Sequence, residues 1–113
     1  MSFRKMIKNK LNFELLIRDG NGTTIENPIV IDHTQYIRVE KDCIDYGCKI
    51  LGMEWVEYKQ ELIEHMGKSI DVITIRISKN GDFHNNSKKT CFYFDVSEII
   101  KKSAARAEVF REW

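Results

Sequence analysis

Apolar and polar positions alternate from the first well-patterned stretch of the chain. Leu11, Phe13, Leu15 and Ile17 take every second place, with Asn12, Glu14, Leu16 and Arg18 between them. A period of two predicts a strand with one mostly polar face. Asp19-Gly20-Asn21-Gly22 follows as overlapping turn dipeptides, and Thr23 to Asp32 reads as a return strand in which Pro28 marks an edge, a bulge or a break. Tyr36 to Glu40 carries a weaker alternation and predicts a third strand.

The period then changes. Ile44, Cys48, Leu51, Trp55, Tyr58, Leu62 and Met66 recur at intervals of three and four, the stripe of an amphipathic helix. The helix is assigned to Gly52–Met66, with Gly67 at its end as a C′ glycine. Gly47 and Gly52 weaken the pattern, and the stretch Lys49 to Tyr58 reads alternatively as a strand. Ile70 to Ser78 is the clearest strand, since Ile73, Ile75 and Ile77 alternate with Val72, Thr74 and Arg76. Asn80-Gly81 predicts a hairpin turn, with Asp82 to His84 pairing back briefly. Cys91 to Phe94 is an aromatic strand, and Asp95-Val96-Ser97-Glu98 resembles a capping box that opens a last helix. That helix presents Ile99, Ile100, Ala104 and Ala107 to the sheet near Phe92 or Phe94.

The fold class predicted is α+β: an antiparallel or mixed sheet of about four to six strands, covered on one face by two amphipathic helices. Residues 1–113 read as a single domain, with residues 1–10 a basic N-terminal arm or short helix carrying Arg4, Lys5, Lys8 and Lys10. At 113 residues the chain can bury one modest core.

Charge changes the picture more by its distribution than by its total. The net charge is +1, which argues against a dedicated nucleic-acid binder. Met1–Val30 carries +2, Ile31–Asp71 carries −4 and Val72–Trp113 carries +3. Cys43, Cys48 and Cys91 make an odd set, read as reduced thiols in the cytosol, with no secretory leader and no apolar run long enough to span a membrane.

Candidate chemistry is sparse. Gly67-Lys68-Ser69 lacks the earlier glycine and the strand-before-helix order of a phosphate loop. His33, Cys43 and Cys48 lack the paired spacing of a zinc site, so no metal or other cofactor is expected. Asp82 and His84 have no accompanying nucleophile. Glu57-Tyr58-Lys59 matches the carboxylate-and-lysine pattern of metal-dependent nucleases, with Asp42 or Asp45 as a second carboxylate. The pattern requires a strand there, because residues two apart diverge on a helix. Lys88, Lys89, Lys101, Lys102, Arg106 and Arg111 with Tyr93 and Phe94 suggest an RNA-binding surface, without the matching motif.

The most informative feature is Glu54, Glu57, Glu61 and Glu64, spaced three, four and three. On a helix they share about 80° of arc opposite the apolar stripe. Such a single-sign patch is an expected docking surface for a basic protein partner. The reading that follows is a small cytosolic protein-binding module, an antitoxin or toxin-immunity protein, rather than an enzyme. The metal-dependent nuclease and the RNA-binding domain are the alternatives.

Overall fold

The computed structural model describes residues 3–18, 20–84 and 87–102. It is an α+β fold. Helices α1 (Phe3–Leu11) and α2 (Tyr36–Ile50) pack on one face of a four-stranded mixed sheet. The strands are β1 (Ile29–Val30), β2 (Glu54–His65), β3 (Lys68–Ser78) and β4 (Lys88–Asp95), in the order β1-β4-β3-β2. β1 runs parallel to β4, and the other pairs are antiparallel.

One buried cluster joins these layers. Phe3 and Ile7 come from α1, Val39, Cys43, Ile44 and Cys48 from α2, and Ile73, Ile75 and Phe94 from the sheet. On β3 the odd-numbered residues face the helices, as the alternation of Ile73, Ile75 and Ile77 predicts, and their cross-strand partners Phe92 and Phe94 complete that face. Phe92 stacks on Phe94 and meets Phe3 edge-on.

Of the two helices, α1 falls on the N-terminal stretch read as an arm or short helix, whereas α2 was not expected. The stretch Gly52–Met66 is no helix: α2 ends at Ile50 and residues 54–65 form β2. Gly52 is the stop. It sits at φ +68° just past the helix, its N–H bonds to the Lys49 carbonyl, and the Met53 N–H bonds to the Cys48 carbonyl. This pair of bonds is a Schellman closure, which requires a left-handed residue at that position. The stripe read through Gly52 therefore joined the end of a helix to a strand.

Gly67 does adopt a left-handed conformation, though in a hairpin. Met66 and Gly67 have φ +51° and +77°, and they link His65 to its cross-strand partner Lys68. Two consecutive positive φ values between paired strands are the signature of a type I′ turn. A loop this short closes the β2–β3 ladder at small entropic cost.

Tyr36–Glu40, expected as a strand, is the first turn and a half of α2. Its buried face is Val39, Glu40, Cys43, Ile44, Gly47 and Cys48, a helical stripe interrupted by one acid. Leu11–Ile17 and Thr23–Asp32 do not form the expected hairpin, since only Ile29–Val30 is strand. The alternation still sorts the side chains: Leu15 and Ile17 are buried and Leu16 is exposed. A bond from the Arg18 N–H to the Val30 carbonyl at 2.9 Å ties the segment to β1.

After β3 the chain makes a longer excursion than a tight Asn80-Gly81 hairpin, for Ile77 is paired with Lys88. Asn80 Oδ1 accepts from the Ser78 hydroxyl and the Asp82 N–H, and Asp82–His84 does not pair as a strand. Asp95 caps the helical residues 97–102, its Oδ1 accepting from the Ser97 N–H at 3.0 Å. Ile100 packs against the core cluster, while Ala104 and Ala107 lie outside the described residues. No helix among the described residues is long and apolar enough to cross a membrane.

Candidate functional site

The four glutamates fall on β2, at the edge of the sheet, and not on a helix. Their faces follow from the register. Glu54 opposes Ser78 and Glu61 opposes Val72, which places both on the face away from the helices. Glu57 opposes Ile75 and Glu64 opposes Ser69, on the helix-bearing face. A bulge separates the halves of the strand, since Glu57 pairs with Ile75 and Lys59 with the adjacent Thr74, leaving Tyr58 as the extra residue. The expected single stripe is thus two and two, strung along one edge.

That edge is long and open. β2 has twelve residues, and among the described residues no strand pairs with its outer side. Val56, Tyr58 and Leu62 are among its exposed apolar side chains. At its start the Trp55 indole N–H donates to Asp45 Oδ1 of α2 at 2.6 Å, which ties the strand to the helix layer.

Just inboard, the charge reverses. The Tyr58 ring lies 3.8 Å from the Lys89 ammonium and 5.2 Å from the Arg76 guanidinium. Lys89 also holds the Tyr58 hydroxyl below its ordinary pKa. Lys59 pairs with Glu61 on the same face, and this contact raises the lysine pKa.

Beneath the helix-facing side of β2 lies a feature that sequence reasoning missed. Glu40 of α2 is 1% exposed and Asp71 of β3 is 2% exposed. Gln60 of β2 covers the pair, its side-chain amide donating to Asp71 Oδ2 at 2.8 Å. No donor reaches either Glu40 oxygen, and the side chain shares a hydrogen bond with the Asp71 carboxyl only where one of the two acids carries a proton. Burial first, then the adjacent Asp71 carboxyl, and last Glu57, push the Glu40 pKa up to about 10. Glu40 therefore stays protonated at neutral pH. Paired carboxyls can serve acid–base chemistry, but at this burial neither reaches a substrate. Half of this pair was visible in advance: Asp71 shares the inward parity of Ile73, Ile75 and Ile77.

The other candidates do not assemble. Residues 57–59 are strand, as the nuclease pattern requires, yet the bulge sends Glu57 and Lys59 to opposite faces. Asp45 is engaged by Trp55. Cys43 and Cys48 are buried thiols in the core, and burial pushes the Cys48 pKa up to about 11. The His33 ring nitrogen Nδ1 accepts from the Gln35 N–H instead of facing them. Among the described residues no group of three or more His, Cys, Asp or Glu is placed to hold a metal ion. Asp82 Oδ1 accepts from the His84 backbone N–H, a turn contact.

The expected basic–aromatic surface is divided as well. Phe94 is in the core, Tyr93 is half-buried on the outer face, and Arg106 and Arg111 lie outside the described residues. No family model matches the sequence, and no curated protein or solved structure matches it significantly.

Proposed function

We propose that this chain is a small protein-binding module that receives an extended, basic segment of a partner protein along the free edge of β2. The observation that carries this reading is a twelve-residue edge strand bearing four glutamates and one lysine. An added strand takes its affinity from main-chain hydrogen bonds and its specificity from alternating side chains. Glu54 and Glu61 meet such a strand on one face and Glu57 and Glu64 on the other. The cations Arg76 and Lys89 sit inboard, so a basic segment is drawn to the rim and repelled from the sheet face. Neutralising a basic toxin in the cytosol, as an antitoxin or immunity protein does, is the specific form proposed.

Charges and a bulge are also how proteins guard an edge against aggregation. The two roles are separated by titrating the labelled protein with an unstructured peptide of alternating lysine and valine, read by NMR and amide exchange. Docking is expected to protect amides within residues 54–65, and raising the salt to 0.5 M is expected to weaken it, since screening shortens to a few ångströms there. Shifts scattered over the molecule, or none, would leave the glutamates as edge guards only.

A further inference from the structure

A half-open cavity of about 480 Å³ lies on the helix-bearing face, at the end of the sheet remote from Asp95. Phe3 and Met6 of α1, Ile50 of α2, and Ile77 and Phe92 of the sheet are among its lining. Gly47 lets the Phe3 and Phe92 rings close in on α2 at its wall. A Cβ there would stand 3.3 Å from the Phe3 ring and 3.5 Å from the Phe92 ring. A cavity of this size falls within the roughly 300–1,000 Å³ of small-molecule sites.

The polar side chains on its lining are Lys10, Asn21, Thr23 and Thr90, with the Cys48 and Cys91 thiols. No carboxylate lines it. Lys10, exposed at the end of α1, contributes an ammonium, and no carboxylate lies within ion-pair distance of it among the described residues. Asn21 uses its side-chain oxygen to accept from the Thr23 N–H and hydroxyl, which leaves its amide donors for another group. All charged residues of α1 are basic. An apolar interior with cationic and donor groups at the rim matches a molecule with an apolar body and one anionic head.

We infer that this cavity is a binding site for a small apolar monocarboxylate, its hydrocarbon between α1, α2 and the sheet and its carboxylate on Lys10 and Asn21. The inference is independent of the β2 edge, which lies across the sheet.

The test is a methyl NMR titration of the full chain with decanoate, decanol and decylamine. Decanoate is expected to shift the methyls of Met6, Ile50 and Ile77 in a saturable way, with decylamine at least tenfold weaker. Lys10→Gln is expected to weaken decanoate about tenfold and to leave decanol unchanged, a loss of about 1.4 kcal/mol. Ile50→Trp, which fills the cavity from a half-buried wall, is expected to abolish both. The wild-type shift map stands as evidence even where that variant folds poorly. No shifts at these methyls, shifts centred on Val56 and Leu62, equal affinity for the amine, or an unchanged decanoate affinity in Lys10→Gln would each overturn the inference.

Discussion

The sheet has two edges, and the chain treats them in opposite ways. At one edge β1 is two residues long and fully integrated. Ile29 is buried, Val30 accepts from Arg18, and the Ile31 N–H donates to the Asp95 carbonyl. Loop residues close over it: the Gly22 carbonyl accepts from the Tyr93 N–H of β4. At the other edge β2 is twelve residues long, exposed over most of its length and charged at every second or third position. One edge is sealed by its short length and its packing. The other is kept soluble by charge and a bulge while its backbone stays accessible. Accessible backbone is what strand addition requires, so the asymmetry locates the candidate interface.

The sharpest way to break this contrast is to truncate one apolar residue at each edge. Ile29→Ala removes buried methyl groups from the core cluster and should cost about 2–5 kcal/mol, depending on how far the site collapses. Leu62→Ala, at a position 56% exposed, should change stability by no more than about 0.5 kcal/mol. Urea denaturation of both variants reads the difference. Comparable losses would mean that the β2 edge is covered.

The acid pair beneath β2 provides a second probe, specific to that side. The folded Glu40 pKa is about 10, against an ordinary value of 4.5. Between these values the folded state binds the proton that the unfolded state releases, so stability from this group is complete below pH 4.5. It declines as the pH rises towards 10, with a limiting slope of about 1.4 kcal/mol per pH unit. Glu40→Gln keeps the shape and removes the titration. Its advantage over the wild type should grow as the pH rises above 4.5, reaching several kcal/mol by pH 8, and the gap should close near pH 4. Chemical denaturation across pH 4–9 measures it; a parallel pair of curves would show that Glu40 is ionised in the folded protein.

These probes bear on what could be read from the residues alone. β3 was legible because one face is buried and the other is not, which imposes strict alternation. Leu15 and Ile17 were legible for the same reason, although their segment is not a strand of the sheet. Glycines at 52 and 67 and the Asp95 cap each announced a backbone event, but only the cap was attached to its element. The β2 sequence carries a helical pattern for two physical reasons. It is an edge with little buried area, so nothing forces a period of two. The bulge at Tyr58 then shifts parity, so that Trp55 and Leu62, seven apart as on a helix, share a face. Glu40 hid α2 in turn, because a buried acid interrupts the apolar stripe that would have disclosed it. The edge location of the glutamates and the Glu40–Asp71 contact depend on tertiary packing, which no local pattern encodes.

The hairpin that presents β2 sharpens the comparison further. Met66 occupies a left-handed turn position with its side chain 87% exposed. Asn adopts that conformation at lower cost and carries no apolar side chain into solvent. Met66→Asn should therefore stabilise the hairpin by about 0.5–1 kcal/mol, visible as a higher urea midpoint with an unchanged slope. No such turn borders β1, and a gain confined to this end would show that β2 is held in place chiefly by its ladder with β3.

The smallest effect on stability belongs to the charges themselves, and this is what makes them a clean test of docking. Glu54 opposes Ser78 and Glu61 opposes Val72, so reversing either to lysine places no like charge directly across the ladder. Glu54→Lys should leave stability within about 0.5 kcal/mol. Glu61→Lys loses the exposed pair with Lys59 and sets two lysines on one face, and it should cost no more than about 1 kcal/mol. On a helix the same reversals would have relieved repulsion and raised stability, so the sign of this small change itself distinguishes strand from helix. If the edge receives a basic segment, the double reversal should slow association with the alternating lysine–valine peptide while dissociation changes little, because exposed charges act mainly through encounter. Stopped-flow association at low salt and at 0.5 M salt reads this directly. The defect should shrink as salt rises, since wild type and variant are screened towards the same rate. An equal loss at both salt concentrations would instead place Glu54 and Glu61 in desolvated contacts with the added strand, and an unchanged rate would assign them to guarding the edge.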